Sequence, residues 1–357
     1  MSVFAKLISS AIKKRESRVV GIDIGSSSIK VVELEDRRGV LTLMTYGELQ
    51  LGPYVGEPLG QSVVLEANQE QAALVDVIRE SAVKAKSAVF AMPLSASFIT
   101  NAVITARKDA DIEPMVRLEA RKVIPASLSE LTLDFVELDQ TVSGTGEIPR
   151  GVLIAAIKND ALKRFKVLMQ FAGLKETLNE IECFSAIRAL FNDTEPNLAI
   201  IDIGAVSSKL YLAKNGQLMR MHRIRAGGAL ATKRIMQVLD ISFDDAELVK
   251  RDVLKHPKVA EIKRAYQASF DRAFVEFAQV IQEYERTTGV GIPHVYLSGG
   301  GALFGGVSQQ LAAALGREVI SANPFAKVAY PAFMEAALKE FGPSFTVALG
   351  AALRLYE

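Results

Sequence analysis

Two short segments of the sequence carry acidic, glycine, hydroxyl and lysine residues at the same spacing. The first reads GIDIGSSSIK over residues 21–30, and the second reads IIDIGAVSSK over residues 200–209. A triphosphate with its magnesium ion needs backbone N–H groups and hydroxyls that can approach closely, and carboxylates that hold the water shell of the metal. Both segments supply these groups. One such segment alone is typical of an ordinary structural turn, but two in register favour a nucleotide site.

Each of the two segments is predicted to form a β-hairpin with an exposed polar turn. An apolar, β-rich run precedes the glycine turn and a second β-rich run follows it. Asp23 and Asp202 stand at the ends of the first strands. The turns are predicted to contain Gly25, Ser26, Ser27 and Ser28 in the first copy and Gly204, Ala205, Ser207 and Ser208 in the second. Two such hairpins imply two similar halves.

A third glycine cluster, Gly299–Gly301, lies between a predicted strand and the helical segment 307–315. Glycines allow the backbone to lie against a ribose or an adenine, and a helix N-terminus presents free N–H groups to phosphate. The pair Gly227–Gly228 follows the strand-like segment 219–224, opens another helix, and is interpreted in the same way. From the residues alone, the alternative for the third cluster is a tight strand-to-helix turn.

The segment 242–250 is predicted to begin a helix with a capping box from Ser242 to Asp245. Its spacing places Glu247 and Lys250 on one face, because residues three apart are neighbours on a helix. By spacing alone, an ordinary surface ion pair explains the two residues as well as a ligand-binding role does.

Strands and helices alternate around these motifs, which predicts an α/β protein with layered sheets. The clearest elements are strands at Ala88–Ala91, Gly151–Ile157 and His294–Leu297 and helices at Asn68–Val83, Asp160–Ala172 and Glu261–Thr287. The block from Pro93 to Arg150 is distinct. It carries Pro93, Pro114 and Pro125 and a glycine-rich turn at 143–146, together with a helical pattern at Asp111–Val123 and an alternating pattern at Leu131–Leu138. We therefore predict an inserted subdomain with its own α+β core.

Composition excludes several classes of protein. Forty-two Lys and Arg residues against 41 Asp and Glu residues give a formal charge of +1, which offers no electrostatic footprint for nucleic acid. The single cysteine, Cys183, cannot form an internal disulfide, and with three histidines it cannot build a Cys/His zinc site. No apolar run approaches the roughly 20 residues of a bilayer-spanning helix. These features favour a cytoplasmic protein.

The first residues predict an amphipathic basic helix. Apolar residues between Val3 and Ile12 recur at helical spacing, and Lys6, Lys13, Lys14, Arg15 and Arg18 add positive charge. Lys6 interrupts the apolar stretch, which disfavours a signal peptide. Peripheral membrane contact through residues 3–18 is one interpretation, and a terminal helix docked on its own domain or frayed is the other.

These motifs together resemble those of the actin-like ATPase superfamily and, more closely, the PilM family of pilus assembly proteins. Residues 21–34 resemble the first phosphate motif, residues 200–212 the second, and residues 295–306 the adenosine motif, in the same order and at similar separation. The segments 172–174 and 181–186 resemble the first interdomain connection. The insert resembles the small subdomain that PilM proteins share with the division protein FtsA. The resemblance covers nearly the whole chain.

The resemblance implies a bilobed actin-like ATPase fold, in which two related ribonuclease-H-like lobes clamp a nucleotide and the first lobe carries a small α+β insert. The implied divisions are an N-terminal segment 1–18, a first lobe of 19–92 and 151–190, an insert of 93–150, and a second lobe of 191–357 with a nucleotide-contacting helical subdomain at about 228–290.

The resemblance also implies ATP and Mg²⁺ as cofactors and assigns roles residue by residue. Asp23 and Asp202 would order the metal and its waters. Glu182 stands where these ATPases can place a residue that orients the attacking water. Lys30 and Lys209 would neutralise phosphate charge or extend their stems along the lobe surface. The implied nucleotide-binding residues are Gly25, Ser26, Ser27, Ser28, Lys30, Gly204, Ala205, Ser207, Gly227, Gly228, Glu247, Lys250, Gly299, Gly300 and Gly301.

The function that the resemblance implies is an ATP-binding scaffold, at most a slow ATPase, at the cytoplasmic face of the inner membrane. Its groove between the insert and the first lobe would receive the cytoplasmic N-terminal tail of a PilN-like bitopic membrane protein in a type IV pilus or related secretion platform. Other platform proteins are further expected partners, and self-association stays open. The alternatives are a membrane-tethered filament protein of the FtsA kind and, with less support, a small-molecule kinase of the same fold.

Overall fold

The computed structural model describes residues 17–138 and 146–357. The two repeated segments form the first hairpins of two five-stranded sheets. The strands of the first sheet, in spatial order, are β3 (Val40–Gln50), β2 (Ser28–Arg37), β1 (Arg18–Ile24), β4 (Ser87–Met92) and β8 (Lys175–Ile181). Strand β2 is antiparallel to both β1 and β3. Strand β4 is parallel to both β1 and β8.

The second sheet repeats the topology of the first. Its first two strands form an antiparallel hairpin, and the third strand is antiparallel to the second. On the other side of the first strand lie two further strands, each parallel to its neighbour. Its strands in spatial order are β11 (Gln217–Ile224), β10 (Ser208–Lys214), β9 (Asn197–Ile203), β12 (His294–Ser298) and β13 (Glu318–Ser321). The predicted hairpins and the two similar halves are confirmed.

The hairpin register places equivalent residues of the two repeats opposite each other. Asp23 pairs with Lys30 across β1 and β2, and Asp202 pairs with Lys209 across β9 and β10. Apart from the partly buried Ile24 at the end of β1, the apolar residues of β1 and β9 are buried, because these central strands are covered on both faces. Each hairpin therefore projects its polar turn from a rigid apolar base.

Helices cover both sheets at the predicted positions. Around the first sheet they are α1 (Ala67–Glu80), α3 (Asn159–Phe171) and α4 (Glu182–Leu190). The helices that follow in the second half of the chain are α5 (Gly228–Leu239), α6 (Phe243–Arg251), α7 (Val259–Thr288), α8 (Val307–Leu315) and α9 (Glu335–Phe341). The last helix, α10 (Thr346–Leu353), packs on β1, β2 and β4 of the first sheet. Helix α7 buries one face that includes Ile262, Tyr266, Phe270, Phe274, Phe277 and Ile281. It ends at Gly289, whose φ of 69° suits glycine.

The predicted insert contains a three-stranded sheet with its own core. Its strands in spatial order are β5 (Ser97–Arg107), β7 (Glu147–Lys158) and β6 (Leu131–Glu137), and helix α2 (Glu113–Val123) packs on this sheet. The predicted helix and strand of this block are confirmed to within two residues at each end. The glycine-rich turn predicted at 143–146 lies outside the described residues except for Gly146.

The predicted boundary after Arg150 cuts through strand β7. The segment Gly151–Ile157 pairs with β5 and β6 and not with the first five-stranded sheet, so the insert sheet extends to Lys158. One face of β7, with Ile154, packs in the core of the insert, and the opposite face, with Leu153, packs in the core of the first lobe. Because both faces are buried, the segment has a continuous apolar sequence. Such a sequence is typical of a strand at the centre of a lobe, which is why the predicted boundary assigned it to the first lobe.

Helices α4 and α10 cross between the two sheets at very short range. A Cβ atom added to Gly350 of α10 would lie 1.8 Å from the carbonyl oxygen of Ser185 in α4. On its other side α10 packs against β1, where a Cβ atom on Gly21 would lie 2.0 Å from the carbonyl oxygen of Ala348. Glycine at these positions lets α10 join the two lobes.

Within residues 17–138 and 146–357, none of the helices has the length and apolar character that a membrane span requires. The predicted amphipathic segment 1–18 lies outside the described residues apart from Ser17 and Arg18.

Candidate nucleotide-binding cleft

A cleft of about 1030 Å³ separates the two lobes and brings together nearly all of the predicted site residues. Those that line it are Asp23, Gly25, Ser26, Ser27, Ser28, Lys30, Glu182, Asp202, Gly204, Ala205, Ser207, Lys209, Gly228, Glu247, Lys250, Gly299, Gly300 and Gly301. Gly227 does not line the cleft. It lies behind the second turn, where a Cβ atom would come within 2.5 Å of the carbonyl oxygen of Ala205.

The two predicted phosphate turns have the same backbone geometry. Gly25 N–H donates to the carbonyl of Ser28 at 2.9 Å, and Gly204 N–H donates to the carbonyl of Ser207 at 3.0 Å. These bonds close both turns around small residues. A phosphate in the cleft can therefore approach either backbone closely.

Helix α5 supports the second turn from behind. Gly228 N–H donates to the carbonyl of Gly204, and Ala229 N–H donates to the carbonyl of Ala205, both at 2.9 Å. The expectation that this helix N-terminus presents free N–H groups is therefore wrong for these two donors. The close approach of two backbones, which only glycine permits, explains Gly227. At Gly228 a Cβ atom would lie 2.9 Å from the ring of Phe304.

The third glycine cluster follows strand β12 as predicted and packs against the second hairpin. Gly299 has a φ of 86°, and a Cβ atom there would lie 2.3 Å from Oδ1 of Asp202. Gly301 packs in the same way on Ile203. Gly300 has open space around its Cα atom. The backbone at Gly300 can thus lie against a flat ligand with no side chain between them.

Carboxylates from both lobes meet at the base of the cleft. Lys209 Nζ lies 2.5 Å from Oε2 of Glu182 and 3.2 Å from Oδ2 of Asp202. Glu182 also accepts a hydrogen bond from the backbone N–H of Leu94 at 2.8 Å. Burial alone lowers the pKa of a lysine, but here the two carboxylates outweigh it and the pKa of Lys209 is raised. The ammonium group is therefore held in its charged form.

Asp23 has a strongly perturbed acidity. Its pKa is raised to about 6, because burial disfavours the carboxylate, and the charges of Glu182 and Asp202 raise it further while Lys30 and Lys209 oppose the shift. Asp23 therefore binds a proton in the folded protein at pH values where it is ionised in the unfolded chain.

This shift predicts a pH dependence of stability. Between about pH 4 and pH 6 the folded state binds more protons at Asp23 than the unfolded state does, so the free energy of unfolding falls as pH rises through this window. Asp23→Asn removes the titrating group. We expect the difference in unfolding free energy between wild type and Asp23→Asn to fall by up to about 3 kcal/mol from pH 4 to pH 7. Urea unfolding at several pH values measures it, and a constant difference would show that the pKa is unshifted.

Glu247 and Lys250 form a buried cluster on the second-lobe side of the cleft. Their side chains are only 9% and 6% exposed and are in direct contact. Lys250 Nζ donates to Oγ1 of Thr232 at 2.6 Å and lies 4.4 Å from the ring centre of Phe304. Burial lowers the pKa of Lys250. The interpretation as an ordinary surface pair is thus wrong.

A first-lobe loop reaches across the cleft to this cluster, and no motif in the sequence predicts this contact. Gly60 has a φ of 79°, and a Cβ atom there would lie 2.8 Å from Cδ of Glu247. Thr232, Phe304 and Arg223, which contacts Oγ of Ser207 at 3.3 Å, were missed for the same reason. Thr232 and Arg223 belong to no motif, and Phe304 lies within the segment 295–306 but has a side chain with no phosphate-binding or metal-binding chemistry. Only the folded chain brings Phe304 and Arg223 to the cleft and Thr232 to Lys250.

The residues of the cleft fit a nucleotide and a magnesium ion. Mg²⁺ usually keeps several waters and takes one or two protein carboxylates beside substrate phosphates. Asp23 and Asp202, at equivalent strand ends, are the residues that would hold it. No group of three or more His, Cys, Asp or Glu side chains converges as a ready-made metal site in 17–138 and 146–357, so phosphate oxygens and water would complete the ligand set. The metal would supply charge neutralisation to the phosphates.

Two lobes built on the same sheet topology, with a cleft between two Asp-containing hairpins and a glycine turn, define the actin-like ATPase class of fold. Solved structures of that class share it over nearly the whole chain. The sequence profile of the type IV pilus assembly protein PilM matches residues 21–356, and the chain belongs to this family.

Individual proteins show the same relationship. The structure of a PilM-PilN type IV pilus biogenesis complex superposes with a TM-score of 0.80 at 24% identity, covering 96% of this chain and 100% of that one. MreB5 of Spiroplasma citri bound to ADP gives a TM-score of 0.55 at 12% identity, over 96% and 97% of the two chains. Identities this low establish the fold alone.

Curated sequences with similarity include cell division protein FtsA. The protein from Streptococcus pneumoniae is 22% identical over 82% of this chain and 72% of its own length. The protein from Bacillus subtilis is 26% identical over 66% of this chain and 57% of its own length. The chain therefore spans little more than half of the second relative.

Proposed function

We propose that this chain is an ATP-binding scaffold of a type IV pilus inner-membrane platform, and that it binds the cytoplasmic N-terminal tail of a PilN-like bitopic membrane protein. The proposal places it at the cytoplasmic face of the inner membrane. Membership of the PilM family and the fold shared with the PilM of a PilM-PilN complex support the assignment to pilus assembly.

One observation carries the nucleotide part of the proposal. The two equivalent turns, at Gly25–Ser28 and Gly204–Ser207, line the same cleft as the bare backbone of Gly299–Gly301 and the buried pair Glu247 and Lys250. Phosphates would bind at the turns, and the ribose and base would bind at the glycines and the buried pair. MreB5, which shares the fold, is a nucleotide-bound protein in its solved structure.

The insert supplies surface for the peptide part. Val103 on β5 is 63% exposed. It pairs with Gly151 of β7, so it lies on the same face of the insert sheet as Leu153, the face that packs on the first lobe. Strand β7 joins this sheet to the core of the first lobe through this face. A tail bound between the insert and the first lobe would bury apolar surface, and its affinity would change when the lobe moves.

Calorimetric titration of the full chain with the cytoplasmic tail peptide of the PilN-like protein, with and without MgATP, tests the scaffold function. We expect one peptide to bind per chain, with an affinity that changes when MgATP is present. Val103→Asp should weaken binding at least about tenfold, since a charge would be buried in the interface. Val275→Asp, on α7 of the second lobe, is the matched control. Absence of peptide binding in both nucleotide states would refute the scaffold proposal.

The similarity to FtsA favours one alternative, a membrane-tethered filament protein. Sedimentation with and without MgATP separates the two functions. Pelleting that increases with protein concentration and requires ATP would support a filament, whereas a small species of constant size at high concentration would support the scaffold.

Any ATP cleavage is expected to be slow and to depend on Glu182. Both carboxylate oxygens of Glu182 are already engaged, one by Leu94 and one by Lys209, so this side chain orients water only after rearrangement. A single-turnover measurement on Glu182→Ala tests the role, and a rate equal to that of wild type would end the assignment.

A further inference from the structure

Arg223, near the end of β11, lies on the wall of the cleft beside the second phosphate turn. Its Nε atom donates to Oγ of Ser207 at 3.3 Å, and Ser207 is one of the residues predicted to bind phosphate. Within residues 17–138 and 146–357, this is the one hydrogen bond of the Arg223 side chain. The donors on the two terminal nitrogens of the guanidinium group are therefore available to a molecule in the cleft.

Most of the other cationic side chains that line the cleft are already paired with carboxylates. Among the described residues the pairs are Lys30 with Glu48, Arg164 with Glu70, Lys209 with Glu182 and Asp202, and Lys250 with Glu247. Two cations of the lining have no such pair in this part of the chain, namely Arg251, which follows Lys250 on α6, and Arg223. Arg223 is the one that contacts a phosphate turn.

The first repeat has an acidic residue at the position that Arg223 occupies in the second. The strand register pairs Lys30 with Glu48 of β3, and it pairs Lys209 with Arg223 of β11. In the first repeat the acidic residue neutralises its lysine at 3.2 Å. In the second repeat the lysine is neutralised by carboxylates of other elements, and β11 adds a further positive charge. The second lobe therefore presents a cation that its own repeat does not neutralise.

The strand order indicates which phosphate Arg223 would meet. The proposed function assigns the ribose and base to the glycine cluster after β12 and the phosphates to the turns. Strand β9 lies next to β12, and β10 and β11 follow on the other side of β9. The second phosphate turn, which joins β9 and β10, therefore lies between the glycine cluster and Arg223. A nucleotide with its base at the glycine cluster would extend its phosphates toward β11, and the terminal phosphate would come closest to Arg223.

We propose that Arg223 binds the terminal phosphate of ATP and makes the cleft distinguish ATP from ADP. The inference rests on the nucleotide site proposed above. A guanidinium group presents parallel N–H donors that match two phosphate oxygens, and such charge-assisted bonds are about twice as strong as bonds between neutral groups. ADP lacks the third phosphate, so Arg223 contributes little to ADP binding.

Calorimetric titration of the nucleotide-free full chain with ADP and with AMPPNP, a triphosphate analogue that resists cleavage, tests this role in excess Mg²⁺. We expect Arg223→Gln to weaken AMPPNP binding at least about tenfold and ADP binding by less than about threefold, because only the triphosphate reaches the guanidinium group. Arg225→Gln is the matched control. Arg225 is exposed and lies outside the cleft lining, so its loss should leave both affinities within about twofold of wild type.

The outcomes separate this inference from the nucleotide site itself. Because Arg223 is exposed, Arg223→Gln should fold, and circular dichroism checks this. An equal loss of affinity for both nucleotides would show that Arg223 only supports the second turn, and unchanged affinities would show that it does not contact the ligand. Either result would overturn the role of Arg223 and leave the nucleotide site intact. Wild type that binds neither nucleotide would overturn both.

Discussion

Replacing Gly350 by alanine is expected to destabilise the protein by about 3 kcal/mol. The added Cβ atom would lie 1.8 Å from the carbonyl oxygen of Ser185, and the helical backbone fixes the positions of both atoms. The higher helix propensity of alanine is worth only about 1 kcal/mol and does not offset the clash. Helices α10 and α4 must therefore separate, which disturbs the joint between the lobes.

Urea unfolding followed by far-UV circular dichroism measures this effect. Gly291→Ala is the matched control, because a Cβ atom there meets nothing within 4 Å. Helix α4 begins at Glu182, so the separation should also weaken ATP binding in the altered chain. Gly350→Ala with the stability of wild type would show that α4 and α10 do not cross as described.

Replacing Lys250 by methionine should cost about 3 to 5 kcal/mol of stability and also weaken ATP binding. The substitution preserves most of the side-chain volume but leaves the carboxylate of Glu247 unpaired in a site that is 9% exposed. Thr232 remains near that carboxylate, but a hydroxyl cannot neutralise its charge.

The double variant Lys250→Met/Glu247→Gln distinguishes the structural role from the ligand role. It has no unpaired charge, so most of the lost stability should return while ATP affinity stays low. Urea unfolding and calorimetry measure the two quantities on the same proteins. Recovery of ATP affinity together with stability would mean that neither side chain contacts the nucleotide.

The parts of the fold that could be predicted from sequence are those dictated by local residues. The hairpins follow from apolar runs around small polar turns, and both copies form as expected. Glycines at 299 and 301 mark close approaches that a side chain would block. The turns and the glycine cluster line one cleft because repeated sheets place equivalent strand ends opposite each other.

The parts that could not be predicted depend on residues far apart in the chain. Strand β7 belongs to the insert sheet, and its two faces pack on different cores. Its continuous apolar sequence does not show which core each face contacts. The spacing of Glu247 and Lys250 fits an exposed helix face as well as a buried one. Their burial arises from Phe304 and from the loop at Gly60, which come from other elements.

The most direct test of the central claim is thermal unfolding of protein shown to be free of copurified nucleotide, with and without MgATP. A ligand at about 100 times its dissociation constant stabilises the folded state by roughly 2.7 kcal/mol, so the unfolding temperature should rise. A rise that saturates with MgATP concentration is the predicted result. An unfolding temperature that does not change at millimolar MgATP would contradict the assignment of the cleft as an ATP site.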